Sequence, residues 1–242
     1  MEWREEGTVL RRRRHGENAV ILDILTAGQG RAAGLLPGGA SASRAAVTQP
    51  GTRLAVRWRA RSEGQLGTFT VEPLTSRAGL MASRGPLLGL NAVTALLCWA
   101  LPEHDPHPRL AAASEALLDA MDAGRDWDVD YLLWEVLLLD EMGFGLDLSR
   151  CAVTGAREGL AYVSPSSGRA VTTEGAGEYA PRLLLLPAIL GGQDGGLAEG
   201  LVLTGHFLAT RLAQDLTGRP VPVARARLAT WLTRTAADST RS

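Results

Sequence analysis

The hydrophobic period of the chain changes near residue 80, and that change limits the architectures open to it. Up to residue 77 the apolar residues fall in five short runs: Gly7–Leu10, Ala19–Leu25, Arg31–Leu36, Thr52–Ala60 and Leu66–Val71. Gly16, Gly28, Gly30, Pro37-Gly38-Gly39, Pro50-Gly51 and Gly64 separate them, as turn residues separate strands. Arg53 to Arg59 largely alternates polar and apolar side chains, the pattern of a strand with one wet face. Five short strands with no helical pattern before residue 77 predict a small barrel. An OB-fold suits that size, and an SH3-like barrel fits the pattern nearly as well.

From Gly85 the spacing is helical. Leu87, Leu88, Val93, Leu96, Leu97 and Leu101 share a broad apolar face that ends at Pro102. Pro106-His107-Pro108 opens a second helix running to Met121. Asp126, Asp128 and Asp130 crowd the start of a third, where carboxylates meet the positive end of the helix dipole, and Gly143 stops it. Residues 150–180 show no periodicity, and two helices are predicted over Leu197–Leu216 and Val223–Thr235. The longest apolar stretch, Leu87 to Leu101, is shorter than the ~20 residues a bilayer requires. The first residues lack the basic-then-apolar order of a signal peptide. With Cys98 and Cys151 as the two cysteines, no disulfide framework is available. A cytoplasmic protein without a membrane partner is expected.

The formal charge is −1, and every basic residue is arginine. The near-neutral total hides an uneven distribution. Residues 1–77 hold 12 Arg against 7 carboxylates, while residues 103–147 hold 2 Arg against 12. Residues 148–242 return to an excess, with 10 Arg against 7. Arginine clusters lie at Arg11–Arg14, at Arg53/Arg57/Arg59/Arg61 and at Arg219/Arg225/Arg227. A guanidinium grips phosphate through two hydrogen bonds and stacks on a base. A barrel with a basic face therefore suits single-stranded nucleic acid, whereas a run of charge can equally be a solvated face. Trp3, Trp58 and Phe69 are the aromatic residues of this segment, and each could serve a core instead.

No catalytic constellation emerges. Asp126-x-Asp128-x-Asp130 opens like a calcium loop, but Tyr131 stands where glycine is needed and Leu137 where glutamate is needed. A hydrolase using Asp126, Asp128 and Asp140 is the weakest reading. Asp140 and Glu141 are adjacent and diverge on a helix. Ser164–Gly168 lacks a nucleophile elbow. His15, His104, His107 and His206 have no metal-ligand spacing, and His104 and His107 are expected in an exposed turn. Cys98 is expected in the core.

Several segments together resemble the RecO family of recombination mediators. In the barrel these are Glu6-Gly7-x-Val9-Leu10, His15-Gly16-Glu17-Asn18, Gly30-Arg31 and Gly38-Gly39. The specific stretch is Trp134-Glu135-x-x-Leu138-Leu139-x-x-Met142-Gly143-Phe144-Gly145-Leu146-Asp147-Leu148-x-x-Cys151-Ala152-x-Thr154-Gly155. It continues through Tyr162-Val163-Ser164-Pro165, Gly168-Arg169-Ala170-Val171, Leu186-Pro187, Arg211-Leu212 and Ala224-Arg225-x-Arg227-Leu228.

The resemblance implies an α+β multidomain protein. Residues 1–78 would form a five-stranded OB-fold domain. Residues 79–242 would form an all-α helical bundle with a small irregular, degenerate zinc-finger-like module at 150–181. It implies a non-enzymatic DNA repair and recombination protein, cytoplasmic and nucleoid-associated. Such a protein binds single- and double-stranded DNA, anneals complementary strands and works with RecR. It helps load RecA onto strands coated by single-strand-binding protein, whose acidic, apolar C-terminal tail it docks. An adaptor that contacts only proteins is the alternative.

Some family members carry four cysteines in the central module and bind zinc. Cys151 alone stands here, so no metal and no other cofactor is expected. After Gly39 the chain has Ala40-Ser41-Ala42-Ser43 and then Arg44, fewer cations than relatives carry there. The expected DNA contacts are Arg13, Arg14, Arg31, Arg44, Arg57 and Arg59. The coat-protein tail needs a cation and an apolar pocket. Arg211, Arg225 and Arg227 beside Leu208, Leu212 and Leu228 are the candidates; alternatively these leucines pack the last two helices together.

Overall fold

The computed structural model describes residues 1–62 and 64–239. It divides into two compact units, Met1–Arg125 and a second beginning at Asp126.

The first unit opens with a closed barrel of strand order β1-β2-β3-β5-β4, the OB-fold barrel. Its strands are β1 (Glu2–His15), β2 (Ala19–Thr26), β3 (Gly30–Leu36), β4 (Arg53–Arg59) and β5 (Gly67–Thr75). Inward-facing Val9, Val20, Leu22, Ile24, Leu36, Leu54, Val56, Trp58, Phe69 and Val71 fill it, as alternation along each strand requires. Closure rests on a short parallel pairing of β3 with β5, Gly34 beside Gly67. A Cβ on Gly67 would lie 2.1 Å from the Trp58 indole, so only glycine lets the strands close over that ring.

Two features depart from the sequence reading. β1 is much longer than Gly7–Leu10, because it pairs with β4 over Glu2–Thr8 and with β2 over Gly7–His15. A bulge between Val9 and Arg11 interrupts the β1–β2 register. The arginine run 11–14 is therefore strand, invisible to an apolar alternation count. The segment expected to lack helix also holds α1 (Ala42–Val47), one short turn capped by Ser41, whose hydroxyl accepts from the Arg44 N–H.

The α2 (Arg84–Ala100) and α3 (Pro108–Asp122) helices complete this unit. Arg77 fastens α3 to the barrel from a side chain only 1% exposed. It donates to Glu115 at 2.6 Å, Asp119 at 2.7 Å and the Gly51 carbonyl at 2.9 Å. Cys98 is partly buried, and burial pushes its thiol up to about 11. His104 is exposed as expected, but His107 is mostly enclosed, with its side chain 12% exposed.

In the second unit, α4 (Asp128–Glu141), α6 (Leu197–Phe207) and α7 (Val223–Ser239) pack together. Asp128 and Asp130 do sit in the first turn of α4. The predicted helix Leu197–Leu216 changes character after Phe207, continuing as a π-helical stretch over Leu208–Thr217 that ends at left-handed Gly218. Residues read as aperiodic contain a small sheet of order β7-β6-β8. Its strands, β6 (Leu160–Val163), β7 (Ala170–Thr172) and β8 (Leu184–Leu185), are too short to show a period. A single turn, α5 (Thr173–Ala176), follows β7. No described helix is long and apolar enough to cross a membrane.

Candidate nucleic-acid interface

The arginines of the barrel fall into two electrostatically different sets. The first lies on the hairpin formed by the outer half of β1 and by β2. Register places Arg11 opposite Asp23, Arg13 opposite Ile21 and Arg14 opposite Val20. Strand alternation sends Arg11 and Arg13 to one side, where both meet Asp23. That carboxylate is fully buried and also receives Arg31 from β3. The separations are 2.9 Å to Arg11, 3.6 Å to Arg13 and 2.9 Å to Arg31. Three guanidinium groups thus share one buried carboxylate. Its hydrogen bond raises the Arg11 pKa above the ordinary value against opposing desolvation.

Arg31 is the anchor of this group. Its side chain is 12% exposed and also donates to the Leu101 carbonyl at 2.9 Å. Half-exposed Glu103 lies 3.4 Å away. Arg11 and Arg13 stay 45% and 50% exposed, and Arg14 and His15 are exposed at the hairpin end. Arg12 faces the other way, bonded to the Gly39 carbonyl at 2.8 Å and the Thr48 hydroxyl at 3.2 Å. Cations outnumber carboxylates along this hairpin.

The second set, on β4, is paired with β1, three guanidinium groups against two carboxylates. Glu2 pairs with Arg57 at 2.5 Å and with Arg59 at 3.0 Å, while Glu6 pairs with Arg53 at 2.7 Å. Desolvation pushes the Glu2 carboxyl up. The Arg57 hydrogen bond and the charges of Arg57, Arg59 and Arg4 outweigh it and hold the carboxyl below its ordinary 4.5. Small Ala55 and Thr70 leave an open hollow of about 490 Å³ among Arg4, Glu6, Arg57 and Glu72 on this face. Arg44, exposed on α1, donates to the Val71 carbonyl at 3.3 Å. The structure therefore gathers Arg13 and Arg31 around Asp23, places Arg14 beside them in sequence, and puts Arg57 and Arg59 together on another strand.

The six residues considered for a tail site are dispersed by burial. Leu208, Leu212 and Leu228 are fully buried in the second unit. Arg225 is bonded to Glu135, itself 0% exposed, at 2.9 Å through two nitrogens. Tyr131 and Thr204 donate hydroxyls to the same carboxylate at 2.7 and 2.5 Å. Arg227 is exposed on α7. Arg211 donates to the Ser166 carbonyl and lies 3.8 Å from Asp215. It borders a hollow of about 180 Å³ walled by Phe144, Phe207, Ser166, Ser167 and Gly168. Those residues carry no charge pattern that sequence reasoning could have used.

Cys151 is buried, and its sulfur accepts from the N–H groups of Val153, Thr154 and Thr172 at 3.3–3.4 Å. Burial resists ionisation, but the hydrogen bonds from Thr154 and Thr172 outweigh it and bring the thiol down to about 6. Among the described residues no three His, Cys, Asp or Glu side chains gather as a metal site.

Residues 1–77 match the family described as Recombination protein O N terminal, and residues 85–220 match Recombination protein O C terminal. A protein of Paracoccus denitrificans named DNA repair protein RecO is 64% identical over 234 residues, covering 96% of this chain and 97% of that protein. A protein of the same name from Cereibacter sphaeroides is 53% identical over 238 residues, covering 97% and 99%. Another from Roseobacter denitrificans is 52% identical over 232 residues, covering 94% and 96%.

Proposed function

The chain belongs to the RecO family, with the role in DNA repair and recombination that its relatives indicate, and we propose that it acts by binding DNA through its barrel. The observation that carries this reading is the surplus of guanidinium groups over carboxylates on the β1–β2 hairpin. OB-folds use the loop between their first two strands for oligonucleotides. Asp23 lies 3.6 Å from the Arg13 guanidinium, which stays half exposed, and exposed Arg13 and Arg14 meet phosphate. Arg31 acts behind them as a positioning residue; Arg44, Arg57 and Arg59 extend the contact. Phosphate contacts read no sequence, so single- and double-stranded DNA are both ligands. Partial neutralisation of two strands on one protein lowers their repulsion and favours annealing.

In this account residues 1–78 are the DNA-binding domain, and residues 79–242 serve partners. The protein works with RecR and helps load RecA onto strands coated by single-strand-binding protein, in the cytoplasm at the nucleoid. It acts by binding, without turnover. The coat protein's acidic tail meets Arg211 at the Phe144/Phe207 hollow, where a cation borders two aromatic rings, and Arg227 supplies a second exposed cation. A protein-only adaptor is the competing reading, favoured by the Glu2 and Glu6 ion pairs that engage all three β4 arginines.

Binding of labelled single-stranded DNA across a salt series tests the proposal. A mediator shows affinity falling steeply with salt through counterion release and accelerates annealing of complementary strands. No complex even at low salt overturns it in favour of the adaptor.

A further inference from the structure

Against the barrel core packs an aromatic cluster that the phosphate contacts do not use. Trp3 and Trp58 are directly opposite across the β1–β4 ladder. Their rings stack with centroids 5.7 Å apart and planes 14° from parallel. Phe69 meets Trp3 edge-on at 6.2 Å. Trp58 is buried, and its indole N–H donates to the Ala33 carbonyl at 3.1 Å, so its plane is fixed. Trp58 also meets the ring of exposed His104 edge-on, with centroids 5.4 Å apart. That residue has a backbone φ of 60°, a conformation non-glycine residues rarely adopt. Trp3, in contrast to Trp58 and Phe69, is only partly buried. Cations border it: the Met1 ammonium is bonded to the Ala60 carbonyl at 2.9 Å, Arg61 is exposed, and Arg59 is exposed but paired with Glu2 at 3.0 Å.

We propose that Trp3 is a stacking platform for an unpaired nucleobase, backed by the fixed Trp58 ring and bordered by cations suited to the adjoining phosphate. A rigid aromatic plane takes a base without losing rotamer freedom, and every base has a face to offer it. A paired base presents only its edge, so this site distinguishes single strands from duplex where phosphate contacts do not. The inference rests on the reading that DNA binds the barrel, and it adds a contact of a different chemical kind.

The test uses the full chain with three probes: oligothymidylate, an abasic deoxyribose-phosphate strand of equal length, and duplex DNA. Wild-type tryptophan fluorescence is quenched by oligothymidylate. Trp3→Phe keeps the affinity within about twofold and loses the Trp3 share of the quenching. Trp3→Leu keeps an apolar side chain on Trp58 and weakens oligothymidylate binding about tenfold, the size of one base stack. Binding of the abasic strand, and the dependence on salt, stay unchanged. Undiminished affinity of Trp3→Leu for oligothymidylate overturns the proposal, as does equal weakening on the abasic strand. If Trp3→Leu fails to fold, Trp3→Phe decides, because quenching as strong as in wild type overturns it. A wild type that holds the abasic strand as tightly as oligothymidylate refutes stacking and leaves the phosphate reading standing. A wild type that binds none of the probes overturns both.

Discussion

The two arginine sets of the barrel differ in what faces them. On the β1–β2 hairpin, Arg11 and Arg13 share Asp23 with Arg31 of β3, and both hairpin arginines remain about half exposed. On β4, Arg53, Arg57 and Arg59 each meet a carboxylate of β1. A count of arginines treats the two alike. A phosphate does not, since a guanidinium already paired must exchange one anion for another and gains less from the exchange. The site of an electrostatic ligand is therefore marked by unmatched charge.

The strongest way to break the contrast is to remove the hairpin's anchor. Asp23→Asn leaves Arg31 enclosed without its main counter-ion, and loss of one partner of a buried pair costs about 3–5 kcal/mol. Chemical denaturation of the variant should show that loss. Glu2→Gln, at an exposed carboxylate, should leave the denaturation midpoint nearly unchanged. Equal destabilisation by both would remove the distinction between the sets.

Next in size is the effect on DNA. Arg13→Ala with Arg14→Ala should reduce the salt slope by about 0.7 for each lost single-strand phosphate contact and weaken binding at least tenfold. Arg57→Ala with Arg59→Ala should change slope and affinity less, because Glu2 already holds both groups. In the same titration, Glu2→Gln should strengthen binding a few-fold by freeing them.

The smallest effect is in pH. The folded pKa of Glu2 lies below its ordinary value, so its stabilising contribution is present above about 4.5 and lost as the pH falls through the depressed folded pKa. Over that same acid window Arg57 and Arg59 lose their counter-ion, and binding by a hairpin variant should recover slightly. Glu2→Gln should abolish that recovery, as binding curves of the two variants against pH would show.

Much of this contrast was hidden from the sequence for a physical reason. Strand cores at Ala19–Leu25, Arg31–Leu36 and Thr52–Ala60 declared themselves through period and punctuation, as did the helices that became α2, α3 and α4. The outer half of β1 did not, since four successive arginines have no apolar alternation. Neither did the strands of the second unit, each four residues or fewer. The arginines of the site were legible by type. Their partners were not, because Glu2 reaches Arg57 and Arg31 reaches Asp23 only through barrel register. Leu208, Leu212 and Leu228 have the composition of a pocket wall, yet helix packing buries all three.

The central claim is that unmatched charge on the hairpin carries the DNA. Its most direct test is the slope of log affinity against log salt for single-stranded DNA in three proteins: wild type, the Arg13/Arg14 double variant and the Arg57/Arg59 double variant. The account predicts a slope reduced by about 1.4 for the hairpin pair and by clearly less for the β4 pair. A slope that falls more for the β4 pair, or is unmoved by loss of Arg13 and Arg14, would contradict it.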